Sequence, residues 1–373
     1  MKVLCLQENL NKALSVVSRL VSTKTQLPAL GNILIATEKG RLKLSATDLE
    51  TGISLWLGAK VEKEGGLTLP ARVLTELVAS LPAGKIDLEA QEEILHLTCE
   101  GYKVTLNGSP AKEFPLPPSS PRKPTFSFSP DFFNEAVAQV AFAAAQDEGR
   151  PVLTGVKWVR QDKGVFLVAT DGYRLSLKKT PLEPESLAGD LIVPARTLLE
   201  VAHAAQGERQ EKGEEEITMS LLPGENQASF SFKDMEITTR LIEGEFPDFS
   251  KIIPSSFTTK VAIEKEVLLK ATRVASIFAR DSANIVKWKV EKGRLTVSAN
   301  SPQVGENASE IEVKTEGEEG EIAFNFRFLL DFLGAVGSEE IIFEMSGALN
   351  PGVFKPSDDD SYLHIIMPVR VQV

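Results

Sequence analysis

Two aspartates stand at matching places in this chain. Asp48 closes the triplet Ala46-Thr47-Asp48 and Asp171 closes Ala169-Thr170-Asp171. Paired carboxylates are the smallest kit for general acid–base hydrolysis, so a hydrolase using Asp48 and Asp171 is the first chemistry to weigh. Thr-Asp at the end of a strand is also ordinary turn chemistry, and a third occurrence of the pattern reads Asn300-Ser301, without the carboxylate. The histidines His96, His203 and His364 are isolated from one another and from the two cysteines. Cys5 and Cys99 lack zinc spacing, and their apolar, strand-like surroundings suit buried inert thiols. No glycine-rich loop ends in Gly-Lys-Ser/Thr, and no GxGxxG follows a strand. No catalytic residue, metal or cofactor is expected.

The arginines point elsewhere. Arg72, Arg196 and Arg327 lie in three related segments, LTLPARVLTELVASLP, LIVPARTLLEVAHAA and IAFNFRFLLDFLGAVG, spaced 124 and 131 residues apart. Upstream of each stands a pair of apolar runs joined by a Lys-Gly turn, and their alanines Ala46, Ala169 and Ala299 are 123 and 130 apart. Two independent motifs share one period, which is the size of a whole domain. The chain therefore reads as three tandem copies of one unit, with boundaries at 1–120, 121–250 and 251–373.

Each copy must supply the elements that hold those arginines. Leu10, Leu14, Val17 and Leu20 fall at helical spacing within residues 8–21, and residues 131–145 and 265–280 take the same place in the later copies. Ser129-Pro130-Asp131 is a good helix start, with a capping serine and a proline at the first helical position. The arginine segments form the second helix. Alternating β-branched runs such as 41–46 and 165–169 read as strands. The result is an α+β unit of two helices and roughly eight short antiparallel strands per copy. Proline-rich stretches at 114–124 and 246–254 link the copies, each following a comparable strand (102–106 and 235–239), with 362–366 as the third equivalent. The acidic runs 214–216 and 316–321 read as solvated turns.

Composition bounds the rest. The 373 residues are 42% apolar and 25% charged, with a net charge of −11. That charge repels a phosphate backbone on average. No stretch approaches 18 consecutive apolar residues, and the amino terminus MKVLCLQENL has no leader pattern. A cytoplasmic protein with no membrane partner is expected.

In this order and spacing, ATDGYRLSL at 169–177, the two PAR segments, EFPDF at 245–249 and IIMPVRV at 365–371 resemble the bacterial sliding-clamp family, the beta subunit of DNA polymerase III. The resemblance covers the whole chain. It implies three DNA-clamp domains per chain and a head-to-tail homodimer whose six domains form a ring around double-stranded DNA, whatever its sequence. Twelve helices spaced by roughly 9 Å lie on a circle roughly 35 Å across. Removing about 5 Å of helix on each side leaves about 25 Å, enough for a duplex and a layer of water. A ring holds DNA by topology, so a negative exterior with scattered cations suits sliding better than tight phosphate binding.

The resemblance also implies sites. The DNA-facing candidates are Lys12, Arg19, Lys24, Arg72, Arg150, Arg196, Arg273, Arg280 and Arg327; Lys12 and Arg19, like Arg273 and Arg280, are seven apart and share a helix face. Helix 131–145 carries no lysine or arginine, and the loop QDEGRPV around Arg150 departs from the family's more aromatic pattern. The dimer interface matches Val104 and Leu106 on one side and Ile277 and Phe278 on the other. A pocket for short linear peptides matches Leu153, Thr170, Gly172, Tyr173, Arg174, Leu175, Pro247, Ile252, Ile365, Met367, Pro368, Val369 and Arg370. The partners implied are the polymerase III alpha subunit, the clamp-loader delta subunit, and other polymerases and repair proteins. The alternatives are the hydrolase above and a non-catalytic repeat scaffold that binds proteins only.

Overall fold

The computed structural model describes residues 1–21, 27–117, 124–147, 149–161, 164–183, 185, 187, 189–206, 216–222 and 226–370. Six α-helices occur there, two per copy: α1 Gln7–Val17, α2 Ala71–Ser80, α3 Pro130–Val140, α4 Ala195–Gln206, α5 Lys265–Ala279 and α6 Phe326–Ala335. Leu10, Leu14 and Val17 of α1 are buried at the expected spacing. Pro130 opens α3, where the Phe132 amide donates to Ser129 Oγ at 3.3 Å. In α6 the cap is Asn325, whose Oδ1 accepts from the Arg327 amide at 3.0 Å. Two helices are shorter than their periodicity suggested. α1 tightens into a 3₁₀ turn at Ser18–Leu20 and α3 into another at Ala141–Ala143. Arg19 therefore lies in that turn, and Lys12 and Arg19 do not share one regular helix.

Among the described residues the strands number ten, eight and nine in the three copies, and all their pairings are antiparallel. They form four sheets in two compact units. The first unit, residues 1–133 with 200–241, holds a five-stranded and a nine-stranded sheet. Its smaller sheet runs Lys60–Lys63, Lys2–Leu6, Lys85–Gln91, Ile94–Cys99, Tyr102–Asn107, so the Tyr102–Asn107 strand is an edge. In the larger sheet the first copy's Thr51–Leu57 pairs with the second copy's Met235–Arg240, from Leu55↔Met235 to Thr51↔Thr239. α1 and α2 pack together, burying Leu14, Leu74 and Val78.

The second unit, residues 134–199 with 242–373, repeats the device. The second copy's Arg174–Lys179 strand pairs with the third copy's Tyr362–Ile366, from Arg174↔Ile366 to Lys178↔Tyr362. The remaining four-stranded sheet ends in Gly305–Glu312, also an edge. Here the core is aromatic: Trp288 meets Phe324, Phe343 and Phe354 edge-on, with centroids 5.5, 5.0 and 5.9 Å away. Such contacts add about 1 kcal/mol each beyond the burial of area.

The copies are thus not separate sheets on a string. Strands of the second copy divide between the two units because its sheet edges are shared with its neighbours in sequence. Of the acidic run 316–321, Glu316 lies in the Lys314–Gly317 strand and Glu321 in Gly320–Asn325, leaving Glu318 and Glu319 as the turn. Most of the run 214–216 lies outside the described residues.

Candidate peptide pocket and DNA-facing helices

The turn from Thr170 to Arg174 is built by its own side chains. Asp171 Oδ1 accepts from the amides of Tyr173 and Arg174 at 2.9 and 3.1 Å. Thr170 Oγ1 donates to the Arg174 carbonyl at 2.6 Å and accepts from the Gly172 amide at 3.0 Å. Gly172 has φ +93°, a region that disfavours any residue with a Cβ. Asp48 does the same work in the first copy, accepting from the amides of Glu50 and Thr51 at 3.0 and 2.7 Å. Both aspartates are turn formers, and the hydrolase reading loses its carboxylates to backbone amides.

Arg174 is the anchor of this turn. Its side chain is only 8% exposed, with Nε 3.0 Å from Asp171 Oδ2 and Nη1 2.5 Å from Asp331 Oδ2 of α6. Nη2 donates to the Phe142 carbonyl at 2.8 Å, and the guanidinium lies over the rings of Phe142 and Phe328 at 5.3 and 4.6 Å. Its donors are spent inside the protein, so Arg174 positions the turn from beneath. Replacing Arg174 with Met is expected to cost about 3 kcal/mol in urea unfolding, because Asp171 is left in a half-closed site without its cation. Arg174→Lys should recover little, since an ammonium cannot reproduce the planar fork. A loss below about 1 kcal/mol would remove the clamp role.

Above this base, Leu153, Leu175 and Ile365 are buried in one cluster with Phe246, Phe249, Val168 and Val353, and Ile252 packs against it. Pro247 stands exposed between the two phenylalanines. Beyond Ile366 the chain leaves the sheet, and two backbone bonds hold it. Met367 donates to the Tyr173 carbonyl and Val369 to the Ala323 carbonyl, both at 2.8 Å. Tyr173 and Met367 remain exposed, Pro368 and Val369 half-buried, and Arg370 exposed. The tail therefore docks beside the turn, with large apolar side chains open to solvent. As pocket residues, Phe246, Phe249, Asp331, Phe142 and Phe328 were not singled out from sequence, although the first two lie in the EFPDF motif. A signal existed for the first, because Glu-Phe-Pro occurs at 113–115 and again at 245–247.

Arg150 belongs here too. Its Nη2 donates to the Asp171 carbonyl at 3.0 Å, and its guanidinium crowds Gly172. The structure thus puts Arg150 against the pocket turn rather than on a helix face.

The remaining cations lie on helices or their ends. Lys12, Arg19, Arg196, Arg273, Arg280 and Arg327 are exposed, and Lys24 lies outside the described residues. Arg72 is exposed but held by Glu76 at 2.9 Å, one turn along α2. α3 shows the opposite sign, exposing Asp131 and Glu135, the latter 3.1 Å from Lys178. At the candidate interface, Val104 and Leu106 are half-buried on the Tyr102–Asn107 edge. Ile277 is 54% exposed, whereas Phe278 packs against the third copy's core.

The buried Ser176, His364, Cys5 and Cys99 offer no accessible chemistry. Ser176 Oγ and His364 Nδ1 are 2.7 Å apart, yet both residues are fully buried. Burial, helped by the charge of Arg174, holds the His364 imidazolium well below its usual range. Cys5 and Cys99 are free and buried, and burial pushes the Cys5 thiol up to about 12. Among the described residues no helix is long and apolar enough to cross a membrane.

Three copies of one α+β unit, chained through shared sheets and carrying exposed cations at helix starts, define a protein of the DNA-clamp class. Family models for the N-terminal, central and C-terminal domains of the DNA polymerase III beta subunit match residues 1–118, 127–248 and 250–370. The chain belongs to the DNA polymerase III beta subunit family. It is 30% identical to the beta sliding clamp of Synechococcus elongatus over 381 aligned positions, covering 100% of both chains. The Staphylococcus epidermidis beta sliding clamp is 29% identical over 94% of each. Among solved structures, the Thermotoga maritima beta subunit matches with a TM-score of 0.90 at 29% identity, and the Bacillus subtilis sliding clamp with 0.92 at 27%; each covers 100% of both chains. A Pseudomonas aeruginosa sliding clamp solved bound to griselimycin is 28% identical, also with 100% of both chains covered, and gives 0.89.

Proposed function

We propose that this chain is a DNA sliding clamp: a head-to-tail homodimer of three-domain chains, divided at 1–120, 121–250 and 251–373, that encircles duplex DNA and tethers the replicative polymerase. The observation that carries the reading is the pair of open sheet edges. Twice within the chain, the strand equivalent to Tyr102–Asn107 pairs with the fourth strand of the copy before it: Met235–Arg240 with Thr51–Leu57, and Tyr362–Ile366 with Arg174–Lys179. The same rule leaves Tyr102–Asn107 without a preceding copy and Gly305–Glu312 without a following one, and those two strands are edges. Exposed edges invite pairing with another chain. Pairing one end with the other is heterologous and closes when the rotation allows. Lys103 on the first edge and Glu306, Glu310 and Glu312 on the second favour that pairing over like with like.

The clamp is non-catalytic and cytoplasmic in this reading. The polymerase III alpha subunit, the clamp-loader delta subunit and other polymerases and repair proteins bind through short motifs at the Tyr173–Met367 pocket. Retention on a circular plasmid after loading, lost when the circle is cut, tests it; retention on neither form would favour a scaffold that binds proteins only, and equal retention on linear DNA would exclude a topological hold. Neutralising Arg72, Arg196 and Arg327 to Ala should lower the slope of binding against salt by about 2 rather than 3, because Glu76 already occupies Arg72. An unchanged slope in a fluorescence titration would show that these arginines do not meet phosphate.

A further inference from the structure

The first copy contains a groove of its own at the place that the pocket turn occupies in the second. A cavity of about 430 Å³ is lined by Leu27, Leu30, Leu49, Phe114, Pro115 and Glu113. Three of its parts answer those of the carboxyl-end pocket. Leu30 stands where Leu153 does, 123 residues earlier, and Glu113-Phe114-Pro115 repeats Glu245-Phe246-Pro247. The turn after Thr47-Asp48 is closed by the same hydrogen bonds as that after Thr170-Asp171. The linker runs close over this turn, since a Cβ on Gly52 would meet the Pro117 ring at 2.5 Å.

Two features set this groove apart. Where the second copy has Gly172, the first has Leu49, a leucine at φ +78° with 49% of its surface exposed. Left-handed backbone is unfavourable for a residue with a Cβ, and strain kept at an exposed apolar side chain points to use rather than to folding. Leu27, beside it in the groove, is 53% exposed. The second feature is charge. Glu113 is the one charged residue in the lining, and no lysine or arginine among the described residues pairs with it. The carboxyl-end pocket instead has the exposed Arg150 against its turn.

We infer that this groove is a second peptide-docking site, for a short extended segment that places an apolar side chain against Leu27 and Leu49 and a lysine or arginine against Glu113. The occupant's charge follows from complementarity: a cation beside an otherwise unpaired carboxylate gains a charge-assisted hydrogen bond, and an acidic peptide meets repulsion there. The cavity is large enough for a few side chains and the contact area small, so binding is weak and transient. One chain then carries two grooves of opposite preference. The inference rests on the carboxyl-end pocket being a peptide site, because the equivalence of the two grooves supplies the class of ligand.

The test uses two fluorescein-labelled hexapeptides, Lys-Ser-Leu-Ser-Leu-Phe and Glu-Ser-Leu-Ser-Leu-Phe, titrated by anisotropy against the dimeric protein lacking residues 367–373. The basic peptide should bind in the range of about 100 μM and the acidic one about tenfold more weakly. Glu113→Gln should cost the basic peptide about tenfold and leave the acidic one no worse. Leu49→Gly, which relieves the positive φ and restores the residue found in the second copy, should weaken both about fivefold without loss of stability. If the truncated protein does not fold, the same two substitutions in the full chain must remove a second peptide equivalent while binding of a polymerase-derived peptide is unchanged. Equal affinities for the two labelled peptides, or indifference to both substitutions, overturns the proposal. A change in self-association of the Leu49→Gly protein in sedimentation, with peptide binding intact, overturns it in favour of a second copy of the chain as occupant. Retained binding of the polymerase-derived peptide in the truncated protein counts instead against the carboxyl-end pocket.

Discussion

Deleting residues 367–373 is expected to weaken binding of a polymerase-derived clamp-binding peptide by about a hundredfold or more, while the protein stays a folded dimer. The deletion removes the exposed Met367 and the half-buried Pro368 and Val369. It gives up two backbone hydrogen bonds, to the Tyr173 and Ala323 carbonyls. It spares Ile365 and Ile366, which are fully buried in the strand before the tail. The loss therefore falls on one wall of the proposed pocket and not on a core. Methionine suits that wall because its flexible thioether can meet varied apolar anchors. Fluorescence anisotropy decides the matter, with sedimentation as the check on assembly; undiminished affinity in the truncated protein would move the peptide site elsewhere.

Placing aspartate at both Ile277 and Leu106 should raise the dimer dissociation constant by about a thousandfold, the result of burying two unpaired charges in one contact. Ile277 is the better target of the two bulky residues at the end of α5. Phe278 is packed against the third copy's core, so changing it would also unsettle that domain. Leu106 is half-buried on an edge strand and contributes little to its own sheet's interior. Sedimentation velocity at low concentration should show monomers of unchanged far-ultraviolet spectrum. A double variant that remains dimeric under those conditions would sink the head-to-tail assignment.

Much of the fold was legible in the sequence, for a physical reason that differs from element to element. The start of α3 was readable because Ser129 and Pro130 encode capping locally, whereas Pro70 and Pro194 end strands just before α2 and α4. Helix ends were not readable, because nothing in residues 18–21 forbids another helical turn; the structure replaces it with a 3₁₀ turn whose Leu20 is buried. The aspartates looked like possible chemistry since carboxylates at strand ends serve turns and catalysis alike. Only the amide contacts of Asp48 and Asp171 separate the two. Arg174 was placed with the pocket by resemblance, but its burial against Asp331, Phe142 and Phe328 depends on residues up to 157 positions away.

The period of the repeat, the two helices per copy and the apolar tail were determined by the sequence itself, since spacing and local side-chain chemistry are properties of neighbours along the chain. Which strand borders which was decided only in three dimensions. An edge strand presents the same backbone donors and acceptors whatever its sequence, so nothing in residues 235–240 or 362–366 names Thr51–Leu57 or Arg174–Lys179 as partner. The tertiary structure made those two choices, and by making them twice it left Tyr102–Asn107 and Gly305–Glu312 as sheet edges among the described residues.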